Sequence, residues 1–452
     1  MISSIKKTKE LISGWGRRNF SSSNIYFPNN PNEVQQIINN KLDSIIPRGL
    51  GRSYGDPAQC KNGSVINTSN LSFMELNESD CTLRAGSGTK ISDILNFIIR
   101  QGFFLPVSPG TKNVTLGGAI AADVHGKNHH CDGSFANHVE RISIVDGRGN
   151  IKILFPSDKS FWAVSGGMGL AGIILEATFK LIPIKTSLMS VNTEKFEDIE
   201  SLMNRMIEAD SKFKYSVAWV DSLDKRGKGI LTTGEHALLR DIQEKNYKLK
   251  NNDPLFYNTN LVPSAPSFLP NGILNNFTVG IFNKTWFAKS PSFLEGELQT
   301  INSFFYPLDG IDNWNRIYGP NGFFQYQFVI PDNHGELIPK ILNSLREIGV
   351  PSFLTVLKRF GDRENGPLSF PLKGWTLATD LPAKKSGLLL KLDEIDHFVA
   401  NAGGRIYLAK DSRQSPEIFK KTYKRLNEWK IEKNKLDPFN IFKSDLSQRL
   451  QI

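Results

Sequence analysis

Pro47-Arg48-Gly49-Leu50-Gly51-Arg52-Ser53-Tyr54-Gly55-Asp56 sets three glycines and two arginines within ten residues. Glycines this close let the backbone turn sharply and aim several N–H groups into one concavity, a geometry suited to a pyrophosphate. The stretch does not fit GxGxxG opening a helix after a strand, nor the P-loop pattern ending in GK[ST], so neither a Rossmann nor a Walker site is expected. On its own the loop is equally consistent with a structural turn.

Two more glycine loops follow. Pro109-Gly110-Thr111-Lys112-Asn113-Val114-Thr115-Leu116-Gly117-Gly118-Ala119-Ile120-Ala121-Ala122-Asp123-Val124-His125-Gly126 is nearly all small residues at its centre. That fits backbone packed on a flat ligand, or a helix start packed closely on a sheet. Gly166-Gly167-Met168-Gly169-Leu170-Ala171-Gly172-Ile173 runs from a glycine turn into a strand.

Around these loops the hydrophobic periodicity places the regular elements. EVQQIINNKL predicts a helix, and Ile91, Ile94, Leu95, Ile98 and Ile99 give one buried face to a helix over 91–101. VERISIVD and NIKILF flank Asp146-Gly147-Arg148-Gly149 as a hairpin, and GIILEATFKLIPI alternates as a strand. After Pro183 glycine thins out. Helices are expected over 196–209 and 336–348, with strands in YSVAWVD, GFFQYQFVI and PSFLTVLKRF. Glycine turns resume in GGRIYLAKDS, and Ser415-Pro416-Glu417 starts a helix. The fold class is α+β: a first domain over 1–185, an inserted α+β domain over 186–402, and a segment 403–452 completing the first.

The composition sets bounds. The 452 residues are 39% hydrophobic and 22% charged, as in an ordinary globular protein. Neither a secretory apolar core nor a membrane-spanning run is evident, so a cytoplasmic location is expected. Cys60, Cys81 and Cys131 are too few and too scattered for a disulfide framework or a zinc site. His125, His129, His130 and His138 lie close together but lack metal-ligand spacing, so no metal is expected. The formal charge of +10 suits an anionic partner: a phosphorylated substrate, a nucleotide cofactor or an acidic membrane surface. A non-catalytic nucleic-acid binder would be colourless, with salt-dependent polynucleotide affinity. The basic residues form no block, and nucleic acid is not an expected partner. The Lys-rich stretch 420–435 reads as a solvated helix face.

Taken in order, RGLGRSYGD, PGTKNVTLGGAIAADVHGKNHHCDGSFANHV, SGGMGLAGIILEATF and GGRIYLAKDSR resemble the vanillyl-alcohol-oxidase-type FAD-binding fold. Within it the chain is similar to the decaprenylphosphoryl-β-D-ribose 2′-oxidase family, and YSVAWVD, NRIYGPNGFFQYQFVIP and SFLTVLKRFG extend the likeness through the middle. The resemblance implies that Arg48, Gly49, Leu50, Gly51, Arg52, Ser53, Tyr54, Gly55 and Asp56 wrap the FAD diphosphate. It implies that Gly110, Thr115, Leu116, Gly117, Gly118, Ala122, Asp123, Val124 and His125 line the flavin. Ile173 or its neighbour Ile174 would touch the adenine side, and Tyr407 the flavin. Arg52 stands where many superfamily members carry a flavin-linking histidine, which implies noncovalent FAD.

Lys410 is the main catalytic candidate implied, as a cation near the flavin or as a proton acceptor. Without the resemblance it reads as a surface partner of Asp411. His125, also a catalytic candidate, and Lys127 match residues bordering the substrate pocket. Gln325, Gln327 and Lys358 match residues lining it, while Trp219 and Tyr326 read as packing. Where mycobacterial members carry a cysteine after a GWN-type turn, this chain reads Gly374-Trp375-Thr376-Leu377-Ala378. The activity implied is oxidation of the 2′-hydroxyl of a polyprenyl-phosphoryl-β-D-ribose, first half of an epimerisation to arabinose. A short-chain reductase would complete it, with peripheral contact at the inner membrane face. Oxidation of a soluble alditol, aldonolactone or hydroxy acid is the alternative.

Overall fold

The computed structural model describes residues 5–40, 42–258, 262–363 and 366–452. Its first sheet explains how the Pro47 loop is presented. Ser21–Tyr26, Ser64–Asn67 and Ile45–Arg48 run parallel, with Lys7–Ile12 antiparallel on the outer edge. Ile45, Ile46, Val65 and Ile66 are wholly buried, as expected for a sheet covered on both faces. The glycine loop therefore leaves the carboxyl end of a parallel strand, where open α/β sheets form ligand crevices.

A second sheet is antiparallel, in the order Met74–Asn77, Thr82–Gly86, Ile173–Lys180, Val139–Val145, Ile151–Leu154. The expected hairpin is its last pair, with Asp146 Oδ1 accepting from Arg148 and Asn150 N–H across the turn at 2.9 Å each. The helix Ile91–Ile98 buries Ile91, Ile94, Leu95 and Ile98, continues as a tighter turn over Ile99–Gln101, and stops where Gly102 takes a φ of +81°. The expected helix at 196–209 begins later, at Ile199, because Phe196 ends a strand and Asp198 caps the helix by accepting from Ser201 N–H.

The third sheet is antiparallel and has eight strands: Phe293–Thr300, Leu188–Phe196, Gly229–His236, Tyr215–Val220, Thr355–Phe360, Gly374–Pro382, Phe323–Pro331 and Arg405–Ile406. One face packs on the helices Ile199–Asp210, Leu337–Glu347 and Leu388–Asn401 through Tyr326, Phe328, Ile330, Leu377 and Leu381. Because side chains alternate across a strand, the intervening residues face the other way. Register aligns Gln327, Ala378, Val356, Trp219 and Ile230 in one row across five strands on that second face.

The C-terminal residues tie these layers together. Ile406 pairs with Phe328, and the chain then turns back toward the glycine loop, where Tyr54 N–H donates to Ala409 C=O at 2.8 Å. Trp429 Nε1 donates to Ala163 C=O at 3.0 Å, and Phe442 bridges to Ile45. Arg449 sits between Asp56 and Asp411, about 2.9 Å from each carboxylate.

Candidate active site

The three sheets and the glycine loops enclose a cavity of about 810 Å³. One end is backbone. Arg48, Gly49, Leu50, Gly51, Arg52, Ser53 and Tyr54 line it beside Gly110, Thr115, Gly117, Gly118, Ala122 and Val124. The glycines are needed for close approach: a Cβ on Gly49 would lie 2.2 Å from Thr115 Oγ1, and one on Gly117 would lie 2.8 Å from Ser87 Cβ. Gly51 has a φ of +64°, and a Cβ there would meet Arg48 Nη2 at 2.2 Å.

Arg48 itself is committed to the protein, donating to Ala58 and Ser13 carbonyls at 2.9 and 2.8 Å, and burial lowers it to about 10. Arg52 is free to serve the cavity. Its guanidinium lies 3.9 Å over the Trp15 ring, and its buried Nε has no protein partner. Among the described residues, the backbone N–H groups of Gly49, Leu50, Gly51, Arg52 and Ser53 have no protein acceptor. Five consecutive unpaired donors beside an arginine form an anion-binding nest.

The other end is cationic and polar. Lys127, Lys358 and Lys410 line it with His125, Gln325, Gln327 and Tyr407. Burial lowers Lys127 to about 7 and Lys358 to about 8. Lys358 keeps its proton longest and further disfavours the charged forms of Lys127, His125 and Lys410. Lys410 Nζ sits 3.7 Å over the Tyr54 ring, and no carboxylate lies within ion-pair distance of it among the described residues. The expected alternative, a pair with Asp411, is thereby excluded: Asp411 belongs to Arg449. Burial lowers Lys410, opposed by Asp380, and raises Asp380, which accepts from Gln325 Nε2 at 2.6 Å.

His125 is buried between Phe360, Phe370 and Tyr407, and burial holds it well below its usual range, so the ring is neutral. Thr376 Oγ1 donates to Phe328 C=O at 2.8 Å and so must accept from Gln327, 3.3 Å away. That orients the Gln327 amide NH₂ toward His125 Nε2 at 3.0 Å and makes Nε2 the acceptor. The proton then rests on Nδ1, which is buried without a protein partner. Lys127 Nζ bonds Phe304 C=O and lies 4.2 Å over the Phe304 ring. Tyr407 hydroxyl donates to Ala122 C=O at 2.9 Å, joining the two ends.

Five expected residues do not line the cavity. Gly55 is pressed on the Asp411 carbonyl, and Asp56 is held by Arg449. Leu116 points into the apolar core, and Asp123, at a φ of +40°, accepts from Ser369 Oγ and Ala136 N–H. Ile173 packs with Ile45, Ile66 and Phe442, while Ile174, on the opposite face of the strand, lines the cavity. Trp219 is a wall residue as well as a packing one, its Nε1 donating to Phe353 C=O at 3.0 Å. Tyr326 faces the helices and donates to Asp396 at 2.7 Å. Trp15, Thr68, Ser87 and Asp380 carried no signal in the sequence, since each stands alone in its segment. His129, His130 and His138 are spent on backbone partners, Gly361 N–H, Phe213 C=O and Asp132 C=O. Among the described residues no three His, Cys, Asp or Glu converge as metal ligands.

A model of the FAD binding domain matches residues 23–154, which carry the first two glycine loops. Decaprenylphosphoryl-beta-D-ribose oxidase of Mycolicibacterium smegmatis is 35% identical over 98% of this chain and 98% of its own. The chain belongs to the decaprenylphosphoryl-β-D-ribose oxidase family. It is an FAD-dependent oxidoreductase. An uncharacterized Streptomyces coelicolor protein is also similar, 32% identical over 79% of this chain and 98% of its own. D-arabinono-1,4-lactone oxidase of Kluyveromyces lactis is 26% identical over 43% and 40%. The family's cofactor fits the residues present: the nest of N–H groups and Arg52 suit its diphosphate, and the glycine wall admits a flat ring system. Among the described residues no helix is long and apolar enough to cross a membrane.

Proposed function

We propose that this enzyme oxidises the 2′-hydroxyl of a polyprenyl-phosphoryl-β-D-ribose to the 2′-keto sugar, the first half of an epimerisation to arabinose. The observation that carries the reading is the cationic end of the cavity: three buried lysines and a neutral histidine, with Asp380, among the described residues, the one carboxylate acting on them. Such a cluster is unfavourable until an anion enters, and a sugar phosphate supplies one.

In the division of labour we propose, Lys127 and Lys358 hold the phosphoryl group, and Gln325 and Gln327 orient the ribose. His125, neutral and held in one tautomer by Gln327, forms the wall beside the sugar. Lys410 supplies positive charge next to the cofactor ring, held by the Tyr54 face and supported by Asp380 against the cost of burial. FAD, when bound, supplies the hydride acceptor. Tyr407 and the Phe360–Phe370 pair close off water on the side of His125. The FAD is read as noncovalent, because Arg52 occupies the position of the histidyl linkage and, among the described residues, neither histidine nor cysteine lines the nest. The first glycine-rich part, 1–185 with 403–452, would hold the cofactor, and 186–402 would form an inserted substrate domain. A short-chain reductase would receive the keto sugar, with the enzyme working at a membrane surface from the cytoplasmic side.

The test is a comparison of substrates on one preparation. Turnover of prenyl-phosphoryl-ribose above that of soluble alditols, aldonolactones and hydroxy acids is expected. Equal turnover of a short soluble polyol would overturn the lipid-linked reading. For the linkage, acid precipitation should leave the yellow colour in the supernatant; a yellow pellet would overturn noncovalent binding.

A further inference from the structure

The helix Asn276–Lys289, with the sequence NFTVGIFNKTWFAK, is apolar on nearly every side yet barely attached. A globular helix with that pattern belongs inside a core or in a lipid environment. Only Val279 and Asn283 are buried, and Asn283 Nδ2 fastens the helix by donating to Asp221 at 2.6 Å. The opposite face presents Phe277, Ile281 and Ala288 with Lys284. Phe277 is 75% exposed and Ile281 52%, and Phe268 in the preceding segment is 83% exposed. Phe293 and Leu294, at the start of the edge strand that follows, are exposed as well.

Two further observations bear on what covers it. The patch is continuous with the mouth of the catalytic cavity: Phe282 and Trp286, stacked on each other, line that mouth with Phe353 and Pro291. Charge along this segment is also one-sided. No Asp or Glu occurs from 254 to 294, where the chain's average of 45 in 452 would place about four; Lys284 and Lys289 are the charged residues there. Lys195 adds to the rim about 5 Å over the Phe287 ring, while Lys228 on the same ring is paired with Glu197 at 2.8 Å. Glu295 and Glu297 begin only where the chain enters the sheet.

We infer that this face is the membrane-docking surface of the enzyme, and that it seats the cavity mouth on an anionic lipid bilayer. Exposed aromatics and a lysine rim are the chemistry of interfacial binding: apolar side chains enter the acyl boundary while cations meet the headgroups. The mouth would then open onto the lipid, so a prenyl chain need not leave the bilayer when the phosphoryl ribose enters. The inference rests on the lipid-linked reading for its purpose, though not for its test.

The holoenzyme is sedimented with vesicles of phosphatidylglycerol and phosphatidylcholine in equal parts. Wild type should bind these vesicles and bind pure phosphatidylcholine more weakly. F268S/F277S, both outside the cavity lining, should bind roughly tenfold less. It should keep wild-type flavin content and turnover of a short, water-soluble prenyl-phosphoryl-ribose. K284E/K289E should lose the preference for anionic vesicles, and it carries the test if the phenylalanine variant misfolds. Wild type failing to bind vesicles, or both variants binding as wild type does, overturns the proposal. So does a wild-type dimer that F268S/F277S converts to monomer with vesicle binding unchanged, since the face would then bury a second copy. The vesicles contain no sugar. Failure of wild type to turn over prenyl-phosphoryl-ribose overturns the substrate reading alone.

Discussion

Replacing Lys358 with methionine should make the substrate-free enzyme more stable while weakening its grip on substrate. Burial lowers this lysine from 10.5 to about 8. At about 1.4 kcal/mol for each tenfold change, the buried charge costs the fold roughly 3 kcal/mol. Water reaching the cavity reduces that to about 1–2 kcal/mol. Below pH 8 both folded and unfolded chains carry the proton, so the cost is fully present. Between 8 and 10.5 the unfolded chain holds more protons than the folded one, so wild-type stability rises with pH. Above 10.5 both are neutral and the cost is gone.

Lys358→Met should therefore raise the thermal midpoint by about 2 °C at pH 6, using the size scaling for a chain this long, and by nothing near pH 10.5. The same substitution should raise KM for the phosphorylated substrate about 10- to 100-fold, the worth of one hydrogen bond to a charged group. The assay is scanning fluorimetry of both proteins across pH, paired with steady-state kinetics. A midpoint that falls at pH 6, or a gain equal at pH 6 and 10.5, would refute the idea of a strained, uncompensated cation.

Other expectations follow from the same geometry. For the phosphorylated substrate, kcat/KM should fall as pH rises through about 7 to 8, because Lys127 and Lys358 lose protons there while a phosphodiester does not titrate; a flat profile up to pH 9 would contradict it. Gly51→Val, forced to a φ of +64° and into Arg48, should yield protein with little flavin, read as the ratio of flavin to protein absorbance. Arg449→Met leaves Asp56 and Asp411 buried without their cation and should cost about 3 kcal/mol in chemical denaturation. Reagents that capture an active-site thiol should form no adduct at this position, because Ala378 offers no thiol, whereas Ala378→Cys, facing the cavity beside Gln327, should acquire one at residue 378, read by peptide mass.

Much of the cofactor end was legible because its chemistry is local. Gly49, Gly51, Gly117 and Gly118 announce a backbone surface, and the structure finds unpaired N–H groups or tight contacts there. Gly55, Asp56, Leu116 and Asp123 sit inside the motifs yet turn away from the cavity, since consecutive residues in loops and strands face different ways. Ile173 and Ile174 illustrate it: both faces of their strand are buried, so hydrophobicity does not say which one meets the ligand. Trp219 reads as core until its register with Val356 and Ile230 is known. Trp15, Ser87 and Asp380 enter the site only through tertiary packing, which no local pattern encodes. The apolar helix at 276–289 was likewise unreadable, because its meaning lies in what it fails to pack against.

The central claim is that a flavin and a lipid-linked ribose meet in this one cavity. It is tested most directly by mixing purified holoenzyme with prenyl-phosphoryl-β-D-ribose without oxygen. The flavin colour should bleach in proportion to enzyme, and the sugar should lose two mass units as its hydroxyl becomes a ketone. Persistence of the colour with this substrate, and bleaching with a soluble alditol or aldonolactone instead, would contradict the account.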